Sequence, residues 1–267
     1  MYSLRIENLH KSYQKDDSGE EKVLEDLNVS VKKGEFVTLL GPSGCGKSTF
    51  LHILAGLEDH EIGNIYCKDR PITGPDQDRV MIMQDAALFP WLTVLKNVCF
   101  GLRERGFAKD KARKLARQEL SRVGLSEVES SYPHQLSGGM QQRVALARGL
   151  VLKPEIMLMD EPFAALDEQT RLKLQRELID LWQERNMTII FVTHSIREAL
   201  ILSQRVLVME SNPGRIRAEY ELNLPYPRHP GNKKIIELEK NILAELEPSL
   251  TQGDMALEPA AAGGENI

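Results

Sequence analysis

The sequence predicts an α/β fold built on a parallel sheet. Three observations carry that prediction. Short apolar segments recur at Glu35 to Leu40, Glu155 to Met159, Thr188 to Val192 and Arg205 to Met209, each bounded by turn residues. Segments of helical period separate them, and strands alternating with helices pair in parallel through right-handed crossovers. A glycine-rich run, Gly41 to Gly46, joins the first of these strands to a helix.

The elements follow in order. Ser3 to Leu9 alternates Leu4 and Ile6 against Arg5 and Glu7, a half-buried strand. Asp16 to Glu21 has the polar, Gly-containing composition of a hairpin loop, and Val23 to Val31 alternates again. Lys33-Gly34 turns the chain into the strand Glu35 to Leu40. Ser48 to Leu57 reads as a helix stopped near Gly56. Ile65 to Ile72 and Arg79 to Met83 read as strands. After Pro90 the texture becomes helical, with Thr93 to Leu102, Lys109 to Val123 and Leu136 to Leu152. In the second of these, Ala112, Leu115, Ala116, Leu120 and Val123 share one face. Strand and helix then alternate through Asp167 to Arg185 and Ser195 to Leu202. Lys234 to Leu246 is an amphipathic helix. Thr251 to Ile267, rich in Ala, Gly, Pro and Glu, predicts disorder.

Composition narrows the function. At 267 residues the chain can bury a sizeable core without disulfides or a structural metal. The net charge of −5, with both signs interleaved, argues against a nucleic-acid partner. Gly101 to Arg122 carries eight Lys and Arg against three acids, but its periodic apolar positions mark a solvated helix face. Cys45, Cys67 and Cys99 form no C-x-x-C pair and read as reduced thiols. No apolar run approaches the ~18 residues of a membrane span, so work at a membrane means docking onto another chain.

The strongest chemical signal is Gly41-Pro42-Ser43-Gly44-Cys45-Gly46-Lys47-Ser48-Thr49, which matches G-x-x-x-x-G-K-[ST] between a strand and a helix. Glycines let backbone N–H groups curl around phosphate oxygens, and the following helix points its positive dipole end at the same anion. Lys47 is placed for the β- and γ-phosphates of ATP, and the Ser48 hydroxyl for Mg²⁺. A second signal is Ile156-Met157-Leu158-Met159-Asp160-Glu161, an apolar strand ending in two carboxylates. Beside a phosphate loop, Asp160 suits Mg²⁺ and Glu161 suits the attacking water. The third is Leu136-Ser137-Gly138-Gly139-Met140-Gln141-Gln142-Arg143. A serine cap explains Ser137, but two glycines in the first turn of a helix cost ~1 kcal/mol each relative to alanine. Bare N–H groups at a helix start are a second anion site.

The strings GPSGCGKST, LSGGMQQR and IMLMDEP, in this order, resemble the nucleotide-binding subunits of ATP-binding-cassette (ABC) transporters over residues 2 to 225. Met140 departs from the glutamine that many members carry directly after the two glycines. The resemblance implies a P-loop NTPase core of RecA type, with an antiparallel β subdomain and an inserted α-helical subdomain. It implies residues 1–88 for the β subdomain and first part of the core, 89–152 for the helical unit, 153–225 for the rest of the core, and 226–267 for a C-terminal helix and tail. It places Tyr13 on adenine, Gln84 on Mg²⁺ and the attacking water, and His194 on the γ-phosphate. Ala165-Leu166-Asp167 would cross to a second subunit.

The resemblance further implies a head-to-tail dimer, each ATP lying between the P-loop of one copy and Ser137 to Gly139 of the other. The reaction is ATP + H₂O to ADP + phosphate. The large apolar residues of Leu88-Phe89-Pro90-Trp91-Leu92 serve either core packing or a groove for an integral membrane permease. A transporter subunit at the cytoplasmic face of the bacterial inner membrane, served by an extracytoplasmic solute-binding protein, is one outcome. A soluble ATPase of DNA repair or translation is the other, although the coiled-coil insertion or tandem cassette of those members is missing here. The wording GPSGCGKSTFLHILAGLE, QDAALFPWLTVLKNV and DEPFAALDEQTR looks like importers of nitrate, sulfonate, taurine or bicarbonate.

Overall fold

A computed structural model describes residues 2–15 and 19–254. Two sheets organise the chain. The first is antiparallel, in the order β2-β1-β4-β5, from β1 (Tyr2–Lys15), β2 (Gly19–Lys32), β4 (Ile62–Cys67) and β5 (Arg70–Pro71). The second has the order β10-β9-β3-β8-β7-β6. Its members are β3 (Phe36–Leu40), β6 (Arg79–Ile82), β7 (Ile156–Asp160), β8 (Thr188–Thr193), β9 (Arg205–Glu210) and β10 (Arg215–Glu221). All its pairs are parallel except β10 with β9.

The period of two along the central strands decides what packs where. Val37, Leu39, Ile156, Leu158, Ile190 and Val192 face α1 (Lys47–Ala55) and the antiparallel sheet. Phe36, Met157, Met159, Ile189 and Phe191 face the opposite layer, which includes α5 (Glu168–Arg185). That layer continues into three helices packed on one another: α2 (Val94–Glu104), α3 (Lys109–Arg122) and α4 (Gly138–Leu150). Ala112, Ala116 and Leu120, the face read from periodicity, are fully buried there. A third cluster forms where α6 (Ile196–Leu202) and α7 (Lys233–Asp254) cover Val206 and Val208. Buried Arg228 fastens this end by donating to the carbonyls of Leu200, Ser203, Leu222 and Leu224.

Several boundaries depart from the sequence reading. The hairpin strands run into the polar stretch, since Tyr13 pairs with Glu21 and Lys15 with Gly19. Cross-strand bonding overrides weak local propensity there; residues 16–18 lie outside the described residues. Ile65 to Ile72 is not one strand but β4 and β5, divided at Lys68 and Asp69, both of positive φ. The strand β10 was not expected from the sequence. Its residues are mostly polar and half-exposed in alternation, and antiparallel pairing on β9 completes the sheet edge. Helix α7 extends to Asp254, so residues 251–254 are helical and not disordered; the remainder of that segment lies outside the described residues. No helix among the described residues is long and apolar enough to cross a membrane.

Candidate functional site

Parallel sheets collect their loops at the carboxyl ends of the strands, and ligands bind in that crevice. Here β3 runs into Gly41, β6 towards Gln84, β7 into Glu161 and β8 into His194. The result is an open cleft of ≈ 530 Å³ lined by Tyr13, Ser43, Gly44, Gly46, Lys47, Ser48, Thr49, Gln84, Glu161 and His194. Five separate segments, far apart in sequence, thus bring these residues to one place.

Gly46 caps α1 at φ 94° without a side-chain hydrogen bond, leaving the helix start bare towards the cleft. A side chain there is excluded twice, by φ and because a Cβ would stand 2.5 Å from Leu24 Cδ2. At Gly41 a Cβ would meet the Met209 carbonyl oxygen at 2.7 Å. Lys47 is buried, and its ammonium donates to the carbonyls of Gly41 (2.9 Å) and Pro42 (2.6 Å). The Cys45 side chain turns inward to 3.8 Å from Lys47 Nζ, and burial pushes its thiol pKa up. Only the backbone of Cys45 is therefore free to meet a phosphate.

Asp160 is a buried carboxylate beside the Ser48 hydroxyl. Burial raises its pKa, the hydrogen bond from Ser48 opposes the rise, and the neighbouring Glu161 charge adds to it. A buried anion held against its ionised form is a cation site in waiting. Among the described residues no group of three or more His, Cys, Asp or Glu could hold a metal alone. The oxygen donors Ser48 and Asp160, with Gln84 on the lining of the same cleft, suit Mg²⁺, which is commonly held by one or two protein groups plus substrate phosphates and water.

Glu161 sits at φ 44°, a region that costs a non-glycine residue ~1–3 kcal/mol and is found mainly at functional sites. Its N–H donates to the Val192 carbonyl (3.0 Å), and its carboxylate lies 3.0 Å from His194 Nδ1. Glu161 is largely covered, whereas the His194 side chain is 60% exposed. Tyr13 lies at the rim with its ring half exposed and its hydroxyl bonded to Glu58. Lys11 Nζ sits 4.9 Å from the ring centroid, a cation–π contact.

Ser137, Gly138, Gly139 and Asp167 are not brought to the cleft. They form a separate exposed face at the starts of α4 and α5. Ser137 Oγ caps α4 by accepting from Met140 N (3.3 Å), and Asp167 caps α5 by accepting from Thr170 N (3.0 Å). That bond lowers the Asp167 pKa. The two starts touch, since a Cβ on Gly139 would lie 3.3 Å from the Ala165 carbonyl oxygen and from Leu166 Cδ2.

Some residues were not singled out from sequence. Buried Gln142 donates to the Met83 carbonyl (3.1 Å), and Arg148 donates to the carbonyls of Ala87 (2.8 Å) and Ala86 (3.1 Å). Together they fix the backbone around Gln84. The signal for Gln142 was a polar residue on the buried face of a helix, which needs a partner. The segment Leu88 to Leu92 divides. Leu88 packs on the core, while Trp91 is 70% exposed. Phe89 holds Trp91 and Phe100 at 5.7 and 4.5 Å between ring centroids. Beside them lies a groove of ≈ 690 Å³ with an apolar floor including Leu92 and Phe100 and a basic rim including Lys96, Arg103 and Arg113.

Comparison with known proteins agrees with this arrangement. Residues 24–164 match the family model for ABC transporters. An uncharacterized ABC transporter ATP-binding protein of Methanocaldococcus jannaschii is 47% identical over 240 residues, 90% of each chain. An aliphatic sulfonates import ATP-binding protein of Bacillus cereus is 42% identical over 246 residues, 92% of this chain and 96% of the relative. A dimeric bacterial ABC transporter cassette superposes with a TM-score of 0.77 at 33% identity, covering 83% of this chain and 100% of the cassette. A dimeric post-hydrolysis cassette bound to ADP and Pi superposes with a TM-score of 0.76 at the same identity.

Proposed function

The chain belongs to the ABC transporter family of ATP-binding proteins, and on that premise we propose that it is the ATP-hydrolysing subunit of an importer for sulfonates or a related small oxyanion. The observation that carries the reading is the cleft itself. It gathers Lys47, Ser48, Gln84, Glu161 and His194 around one phosphate loop. The sulfonate assignment draws on the import relatives of Bacillus.

In this reading the bare N–H groups from Gly44 to Ser48 and the start of α1 hold the triphosphate. Lys47 exchanges the carbonyls of Gly41 and Pro42 for phosphate oxygens. Ser48, Asp160 and Gln84 would hold Mg²⁺, which would supply charge neutralisation to the phosphates. Glu161 accepts a proton from the attacking water, and His194, 3.0 Å away, orients that carboxylate and faces the γ-phosphate. Tyr13 offers its open face to adenine. Phosphoryl transfer asks for positioning and charge stabilisation more than covalent chemistry, and these groups supply both.

The cleft is half of the working site. Ser137 to Gly139 of a second copy, with Asp167 alongside, close over the nucleotide in a head-to-tail dimer. Residues 89–152 form the helical unit that carries them. Trp91, Phe89 and the adjoining groove receive a cytoplasmic segment of the permease at the inner face of the membrane, and the solute-binding protein acts through that permease. Co-expression with a permease of the sulfonate-importer type tests the reading. The chain should fractionate with membranes, and its ATPase should rise when the cognate binding protein carries a sulfonate or similar anion. Recovery with ribosomes instead of membranes would contradict it.

A further inference from the structure

The turn that carries His194 and the loop that carries Asp167 lie on different elements, yet a single chain of polar contacts joins them. His194 is flanked by two hydroxyls that lock its turn. Thr193 Oγ1 accepts from Ser195 N (3.0 Å), and Ser195 Oγ accepts from Glu198 N (3.3 Å). Thr193 Oγ1 also donates to Glu198 Oε2 (2.7 Å). The other carboxylate oxygen, Oε1, accepts from Gln175 Nε2 (3.1 Å) on α5. From the far side Arg171 approaches, its Nε 4.0 Å from Glu198 Oε1. Arg171 Nη2 donates to the Leu166 carbonyl (2.9 Å), and Leu166 is the residue that packs beside Gly139.

A charged carboxylate in this position is costly. The Glu198 side chain is only 13% exposed, and burial raises its pKa. Its two oxygens satisfy the Thr193 hydroxyl and the amide of buried Gln175, which an apolar residue there would leave without acceptors. The charge is explained by what it touches on each side. One junction is incomplete: Arg171 Nε is a buried donor without a hydrogen-bond partner. Its 4.0 Å gap to Glu198 is about 1 Å beyond a hydrogen bond. Arg171 is otherwise held by Glu168, to which Nη1 donates (3.1 Å), and by the Leu166 carbonyl.

We infer that Glu198 and Arg171 form a relay that couples the γ-phosphate side of one nucleotide site to the Ser137–Gly139 face completing the other. The inference rests on the head-to-tail reading, in which both ends belong to one chain but serve two different ATP molecules. When His194 meets a γ-phosphate, the Thr193–Glu198 turn tightens on Arg171. Leu166 and Asp167 follow, and the start of α4 is set against the opposite nucleotide. Both are positioning residues, since neither lines the cleft.

The test compares Glu198→Gln, Arg171→Met and the double variant in the full chain. Phosphate release is measured against ATP concentration, and Mg-ATP binding is measured separately in a Glu161→Gln background. Each single variant is expected to lower kcat about tenfold and bring the Hill coefficient close to 1, with Mg-ATP affinity unchanged. The double variant should be no worse than either single, as for one coupled unit. Arg171→Lys, which keeps the charge, should recover part of the loss. Wild-type kcat and Hill coefficient in the single variants would overturn the relay, and so would a fall in turnover matched by a fall in Mg-ATP affinity. Ser137→Arg is run alongside. If it leaves ATP-dependent association intact, the head-to-tail reading itself fails. If it blocks association while the relay variants behave as wild type, only the relay fails. Should Glu198→Gln not fold, Arg171→Met, at a partly exposed side chain, decides alone.

Discussion

The nucleotide cleft and the Ser137–Gly139 face are both built on helix starts, but they are finished differently. In the cleft the start of α1 is also bare, but the charged side chains around it already have partners. Lys47 is bonded to two loop carbonyls, Asp160 to Ser48, and His194 to Glu161. On the other face the caps are satisfied, but helix geometry leaves the N–H groups of Gly138 and Gly139 without acceptors. Nothing stands within 4 Å of a Cβ on Gly138. The first region is organised to hold a ligand through its own contacts. The second offers donors to something that arrives from outside the chain. The difference is what the proposed sharing of a site between two copies would require, one half fixing the triphosphate and the other completing it.

Variants can sharpen that contrast. The largest effect belongs to Glu161→Gln, which keeps the shape but removes the base. Turnover should fall about 10²- to 10⁴-fold while Mg-ATP still binds, and gel filtration with ATP should show a trapped dimer. Wild-type turnover would remove Glu161 from the role given to it. A smaller effect is expected at the rim. Tyr13→Ala should weaken ATP binding by about 1 kcal/mol, roughly fivefold in KM, and leave kcat in place. Tyr13→Trp should restore the affinity; an unchanged KM in the alanine variant would mean that adenine lies elsewhere.

The smallest effect is on stability without nucleotide, and it distinguishes a strained cleft from a relaxed exposed face. Burial raises the Asp160 pKa above its unfolded value, so the folded state holds the proton more tightly. The stability associated with that proton is present at pH values below the unfolded pKa and is lost as pH rises through the folded one. At neutral pH the ionised carboxylate is a cost. Asp160→Asn should therefore raise the melting temperature of the nucleotide-free protein by a few degrees near pH 7.5. The gap should shrink as the pH falls through the raised folded pKa and be closed below about 4, the ordinary aspartate value. An equal change at an Asp167→Asn control, where the carboxylate is exposed and its pKa lowered, would show no special strain in the cleft.

Much of this was legible in the sequence because the chemistry sits in contiguous strings. Gly41 to Thr49 and Ile156 to Glu161 suggest their chemistry through residue type and spacing, and Leu136 to Arg143 reads from its residues as an anion site, its place opposite a second copy coming only from the resemblance. Tyr13, Gln84 and His194 were legible only through the family resemblance, since a single aromatic, amide or imidazole at a strand end has many uses. The rest was not local. Gln142 and Arg148 hold backbone that lies about 60 positions away. Arg171 and Glu198 approach each other only through long side chains reaching between α5 and α6, which the fold and not the local sequence brings within range. The β10 strand and the last turn of α7 were missed for a related reason. Partner strands and helix continuation outweighed polar composition. Core faces followed the apolar period closely, whereas Trp91 and Leu88 could be separated only by seeing which one the core had room for.

The central claim is that each ATP is held between two copies of this chain. Mixing two inactive variants tests it most directly. Lys47→Ala disables the cleft but leaves the Ser137–Gly139 face intact, and Ser137→Arg does the reverse. A mixed dimer then contains one complete site and one site defective in both halves. The account predicts that the equimolar mixture hydrolyses ATP well above the sum of the two variants assayed alone. Activity no greater than that sum would contradict a site shared between copies.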